Sequence, residues 1–287
     1  MKNHFGNFIL LSFTMIALSS CDDSKNETTP KPEPEPIKVT TKGLQIAENT
    51  THGKILTDAN GKTLYYFADD VDGKSACSGD CLLNWPLYHS TDVTTDTKVD
   101  KSQIAEITRA DGKKQTTYKG WPLYYFKDDT KASETKGDKV GEIWYVAKPD
   151  YTIMVARAQL LGNDGKNYIS TGEGIGKTLY LTDDKGKTLY IFKNDTENKN
   201  NYTKNSDNDK NWPIYTATLN QTPSYINKSL IAKTTVLEKS QLTYKGWPLY
   251  YFGLDTKRGE TKGVSMGYSN NVFTWPIINE KTSAAIK

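Results

Sequence analysis

Cys77 and Cys81 carry the most reactive side chains in this sequence, four residues apart in the run Gly73-Lys-Ser-Ala-Cys77-Ser-Gly-Asp-Cys81, with His89 eight positions further on. In an oxidising compartment such a pair closes a local disulfide, and by loop entropy a ring of this size contributes about 2 kcal/mol. As free thiolates with an imidazole, the same three residues suit Cu(I). Covalent c-type haem is excluded, because no Cys-x-x-Cys-His is present. A second group is acidic: Asp70, Asp129, Asp195 and Asp255 each end a copy of one aromatic motif. Such carboxylates can hold a hard cation or work as an acid/base pair. A catalytic pair needs only one set, however. An aspartate recurring in four turns reads instead as an Asx-type cap on its own backbone. His52 and His89 are the only histidines beyond residue 20, and neither has a counterpart in the second half of the chain. There is no Gly-x-Ser-x-Gly, and Gly172-Glu-Gly-Ile-Gly176 lacks the Gly-Lys-Ser/Thr of a phosphate loop. The expectation is a protein that is not an enzyme, with no cofactor and copper as the alternative.

Something must position these residues. The pattern Leu-Tyr-x-Phe-x-x-Asp occurs at Leu64–Asp70, Leu123–Asp129, Leu189–Asp195 and Leu249–Asp255. A tryptophan follows each copy: Trp85, Trp144, Trp212 and Trp275. Copies one and three open with Gly-Lys-Thr-Leu-Tyr, copies two and four with Thr-Tyr-Lys-Gly-Trp-Pro-Leu-Tyr, so the larger unit is a pair repeated about 125 residues apart. Each motif predicts a strand, with Tyr65 and Phe67 on one face and Leu64 and Tyr66 on the other. By the repeat, Tyr124 and Phe126, Tyr190 and Phe192, and Tyr250 and Phe252 occupy the same slots as core residues. Asp-Ala-Asn-Gly at 58–61, Asp-Asp-Lys-Gly at 183–186 and Ala-Asp-Gly-Lys at 110–113 read as hairpin turns. No run supports a helix of three turns. The fold class is all-β, as tandem duplicated small β-sheet units. A four-bladed, propeller-like ring is the alternative.

Composition agrees with that class. Of 287 residues only 36% are hydrophobic, but 11% are aromatic, and disordered chains are poor in such residues. Formal charge is +3, from 37 basic and 34 acidic residues, which gives no footprint for nucleic acid.

The first residues form an address. Lys2 and His4 precede an apolar stretch, Phe8 to Leu18, ended by Ser19-Ser20-Cys21, as in a secretory signal. Leu18-Ser19-Ser20-Cys21 resembles the bacterial lipobox, which implies that Cys21 becomes the acylated first residue of the mature chain. Acyl chains bury about 0.8 kcal/mol per methylene, enough to hold a protein on a membrane without a spanning helix. The next residues alternate proline with charge, an extended tether. Asp22 and Asp23 resemble the surface-export signal of Bacteroidetes lipoproteins. The division expected is signal peptide 1–20, lipidated Cys and tether 21–44, first pair 45–149, connector 150–166 and second pair 167–287.

The four motifs, the cysteine pair and Trp85-Pro86 in register resemble the bacterial "secreted repeat of unknown function" lipoprotein family over residues 52–279. That resemblance implies an envelope lipoprotein and names no ligand. The second pair departs from it: residues 196–210 are rich in Asn, Lys and Asp and contain no cysteine. Cys77, Cys81 and His89 are also similar to the ligand set of Sco-type copper chaperones, although the thioredoxin-like βαβ pattern is missing. The function expected is therefore a membrane-anchored, non-enzymatic module for binding or assembly, in the outer membrane or at the surface, with an envelope protein or glycan as partner. A copper-handling or electron-transfer accessory is the alternative.

Overall fold

Three turns set the frame. Gly61 N–H closes on Asp58 O at 3.0 Å while Asp58 Oδ1 takes the N–H groups of Asn60 and Lys62. Gly186 and Asp183 repeat the arrangement, and Gly112 N–H closes on Arg109 O at 3.0 Å. Both Gly61 (φ 76°) and Gly186 (φ 80°) are left-handed, which a Cβ would disfavour. All three are the expected hairpins.

The computed structural model describes residues 43–287; the expected signal peptide, Cys21 and the expected tether up to residue 42 lie outside the described residues. In the first module, β1 (Gln45–Asn49) and β2 (Gly53–Thr57) form an antiparallel hairpin. β3 (Tyr65–Phe67), β4 (Ile104–Thr108), β5 (Lys114–Tyr118), β6 (Trp121–Tyr124) and β7 (Trp144–Val146) make a five-stranded sheet in the order β4-β5-β6-β3-β7. A short helix α1 (Cys81–Asn84) precedes Trp85. In the second module, β8 (Met154–Leu161), β9 (Asn167–Ile169), β10 (Gly172–Glu173) and β11 (Lys177–Thr182) make a sheet ordered β10-β9-β8-β11. After α2 (Ser206–Asn211) come β12 (Ile231–Val236), β13 (Lys239–Tyr244) and β14 (Trp247–Pro248). The protein is thus mostly β, in several small antiparallel sheets. None closes into a barrel, and the propeller-like ring is not needed to account for them.

Two expectations change. Residues 150–166, assigned to a connector, contain β8, the longest strand described. Tyr-Thr-Ile-Met-Val-Ala at 151–156 is a continuous run of buried residues, because β8 packs on both modules. The strand motif is also unequal. Its first copy forms β3, and its second supplies the end of β6. The third and fourth are held by single bridges, Tyr190 to Tyr250 and Tyr190 to Ile277. Where β7 reads Trp144-Tyr145-Val146, the second module reads Trp275-Pro276-Ile277, and a proline has no N–H for the ladder.

Side-chain faces follow the two-residue period. Leu64 packs with Leu56, Tyr118 and Leu123. Tyr65 and Phe67 pack with Trp85 and Trp144. Tyr66 enters the largest cluster, with Val155 of β8. The described chain is one compact unit, so the two pairs are not separate domains. Arg258 ties them together. Its Nε donates to Val71 O at 2.6 Å and its Nη1 to Lys119 O at 3.2 Å, with the guanidinium 4.9 Å from the Trp121 ring centre.

Candidate functional site

The motif residues meet in crossed pairs. Tyr65 donates its phenol proton to Asp129 Oδ2 at 2.5 Å, and Tyr124 donates to Asp70 Oδ2 at 2.6 Å. In the second module Tyr190 donates to Asp255 at 2.6 Å and Tyr250 to Asp195 at 2.7 Å. Every motif therefore gives a donor to its sister copy and takes one back. The other oxygen of each aspartate ties down its own loop, accepting the N–H of Ala76, Lys136, Asn201 or Lys262 at 2.6 to 3.0 Å. Expected as local caps, the aspartates do cap backbone, but six or seven residues away, and all four are buried. A turn reading omits the tyrosine, which arrives from a different repeat.

Among the described residues, none of these four carboxylates is in an ion pair. Burial pushes Asp70 up to about 7 and Asp195 and Asp255 up to about 6, against the hydrogen bonds that favour the charged form. Asp129 shifts the same way, again chiefly through burial. Burial and the adjacent carboxylates also raise Tyr65, Tyr124, Tyr190 and Tyr250. The phenol keeps its proton and donates a hydrogen bond through it to the aspartate oxygen. The pairs are internal bonds that engage both oxygens of each buried carboxyl group.

Between the pairs lies an aromatic pile. Trp85 and Trp144 stack at 3.8 Å, with Phe126 against the first at 4.6 Å and Phe67 against the second at 4.1 Å. Trp212 and Trp275 stack at 3.7 Å, flanked by Phe252 at 4.5 Å and Phe192 at 4.6 Å. Phe67 and Phe252 are buried, whereas Phe126 and Phe192 are half-buried at the ends.

Cys77 and Cys81 form a disulfide with Cα atoms 5.4 Å apart. Cys77 lies in the Trp85–Trp144 cluster, and Cys81 packs against it. The buried Arg109 pins the loop, donating to Cys77 O at 2.7 Å, to Gln115 Oε1 at 3.0 Å and to Ser75 Oγ, which also meets the Tyr124 phenol. His89 is elsewhere occupied: its Nε2 meets Glu106 Oε2 at 2.8 Å, and Lys114 holds the other oxygen of that carboxylate. The structure does not bring Cys77, Cys81 and His89 into one ligand set. Among the described residues no three His, Cys, Asp or Glu side chains are grouped to hold a metal. His52 is half-buried, and burial lowers its pKa against the field of Asp138.

Sequence reasoning missed Arg109, Asn200, Tyr202 and the buried pair Gln115 and Gln241. The last two had a signal, since they stand at the same place in the two pairs. Each donates to the carbonyl of a motif leucine, Leu123 or Leu249, at 2.9 Å.

Three stretches, 47–88, 105–148 and 233–278, match a lipoprotein family described as a secreted repeat of unknown function. The motif at 189–195 falls outside the matched stretches. Comparisons with curated proteins and with solved structures find no match.

Proposed function

We propose that this protein is a lipid-anchored module of the cell envelope, acting by binding or assembly and not by catalysis. The observation that carries this reading is the crossed pairing: the repeated chemistry of the motif is spent inside the fold. What the repeats offer outward is shape, held rigid by buried pairs and aromatic stacks. The lipoprotein family supports the address, and the Cys21 signal supplies the anchor, with the outer membrane or cell surface as its place. An envelope protein or glycan is the partner class.

Cell fractionation tests the anchor. Cys21→Ser should move the protein from the membrane to the soluble fraction. Recovery of the variant in membranes at the wild-type level would overturn the reading.

A further inference from the structure

The two modules carry the same face; β8 covers it on the first, whereas on the second Ile191 and Trp247 are buried by the module's own chain, Trp247 Nε1 donating to Ser283 O at 2.8 Å, and Lys193 beside them is exposed. On the first, Tyr66, Ala68, Trp121 and Tyr145 are buried in one cluster with Met154 and Val155 of β8. Val155 N–H donates to the Tyr66 phenol oxygen at 3.3 Å. Arg157 forks onto Asp69 at 2.6 and 2.9 Å. The repeat puts Ile191, Lys193, Trp247 and Pro276 at the same positions of the second module. There they line an open groove of about 570 Å³, with Val272 and Lys281 also lining it.

β8 also has a counterpart. Gln45 of β1 faces Thr57 as Met154 of β8 faces Thr182. In that register Ile46 stands where β8 has Val155, Ala47 where it has Ala156, and Glu48 where it has Arg157. The covering strand thus changes from cation to anion. The covered face changes to match: Ala68 becomes Lys193, and Asp69 becomes Asn194. Both charges are available. Glu48 and Lys193 are exposed, and among the described residues neither is in an ion pair; Lys193 lies over the Trp247 ring at 5.4 Å. The backbone bond is accounted for as well. Ile191 offers no phenol oxygen, and Ile46 N–H already donates to Asp96 Oδ2 at 3.0 Å.

We propose that β1 of one copy of this chain docks in the groove of the next, with Glu48 on Lys193, repeating between molecules the junction that β8 makes within one. A single strand-in-groove contact builds head-to-tail chains or rings, and a reciprocal pair of such contacts closes a twofold dimer. This inference rests on the assembly reading above and names the partner as the chain itself.

Sedimentation velocity of the full chain carrying Cys21→Ser, with no lipid to drive association, tests it. The expected result is concentration-dependent association to a dimer or beyond, weakened by salt. Lys193→Glu and Glu48→Lys should each weaken association at least tenfold, since close interfacial charge pairs are strongly coupled, and the double variant should recover it. Val272→Glu, at an exposed rim position, should weaken it independently. A protein that stays monomeric up to about 1 mM, the weak limit of measurable affinity, overturns the proposal. So does assembly that ignores both charges. An acidic oligosaccharide that binds the monomer and is lost with Lys193→Glu would assign the groove to a glycan instead. Membrane fractionation through Cys21 does not depend on Lys193, so a failure here is distinguishable from a failure of the anchor.

Discussion

The loop that follows the first motif of each pair differs between the modules in every covalent detail and reaches the same end. In the first module a disulfide and a buried arginine hold it; in the second an asparagine and a tyrosine do. Asn200 Oδ1 takes the N–H groups of Tyr202 and Thr203, and its Nδ2 reaches Gln241 Oε1 at 2.8 Å, the role that Arg109 plays toward Gln115. Tyr202 packs on Trp275 at 4.7 Å and Phe192 at 5.3 Å, covering the tryptophan stack as the cystine covers Trp85 and Trp144. The cystine is therefore one of two ways to close the same aromatic pile. That makes it a staple first, whatever redox chemistry its sulfurs permit.

Each module buries one phenylalanine of its aromatic pile, Phe67 in the first and Phe252, from the other repeat position, in the second, and equal burial should cost equal stability. We expect Phe67→Ala and Phe252→Ala each to destabilise by about 3–5 kcal/mol, since transfer and cavity terms add. Phe126→Ala and Phe192→Ala should cost less, because these rings are half-buried. Urea unfolding of the four variants measures this. A flat response, or a large loss in one module only, breaks the equivalence.

Removing a motif aspartate comes next. Asp195→Ala leaves the Tyr250 phenol and the Asn201 N–H without their acceptor, and an unmet buried group costs about 1–3 kcal/mol. Asp70→Ala does the same to Tyr124 and Ala76, but the Tyr124 phenol retains Ser75 Oγ at 2.6 Å. Thermal unfolding should rank Asp195→Ala as the costlier of the two. The reverse order would mean that the Ser75 contact contributes nothing.

The staples follow. Joint replacement of Cys77 and Cys81 by alanine should cost about 2 kcal/mol by loop entropy, and Asn200→Ala a similar amount through lost hydrogen bonds. Reductant should lower the melting temperature of the wild type and of Asn200→Ala alike. It should leave the double cysteine variant unmoved.

How much of this was legible beforehand follows from the range of each interaction. The alternation that sends Tyr65 and Phe67 one way and Leu64 and Tyr66 the other is a property of neighbouring residues, and sequence periodicity states it. So are the Asp58 and Asp183 turns. The crossed pairs are not local: Tyr65 finds Asp129 at a separation of 64 residues. A motif holding both a donor and an acceptor was the available signal, since two such motifs facing each other satisfy both. Turn chemistry explained the aspartate without that partner and so was accepted. β8 was missed because 150–166 lacks the motif, although its apolar run at 153–156 is that of a strand buried on both faces. Cys77, Cys81 and His89 are not gathered into one ligand set for a simpler reason, the two cysteines being joined to each other. Closeness in sequence did not become closeness in space, since His89 turns to Glu106.

The finest distinction between the modules is electrostatic. Asp70, Asp195 and Asp255 are raised by burial above the ordinary value near 3.9. A raised carboxyl binds its proton more tightly in the folded than in the unfolded chain. Its contribution is thus complete below about pH 4 and is lost as pH rises through the folded value. Stability should therefore increase on acidification from pH 8 to pH 5, and fall again only when ordinary paired carboxylates such as Asp69 protonate. Asparagine imitates the neutral form, so Asp70→Asn and Asp195→Asn should each flatten that slope. Because Asp70 stands near 7 and Asp195 near 6, the slope that Asp70→Asn removes should extend to higher pH than the slope that Asp195→Asn removes. Melting temperatures at half-unit steps of pH read this directly. Stability that falls steadily from pH 8 to pH 5, in the wild type and in both variants, would show that these carboxylates are charged when folded. The tyrosine pairs would then be holding buried anions, and the hydrogen bonds, not the protons, would be what makes them bearable.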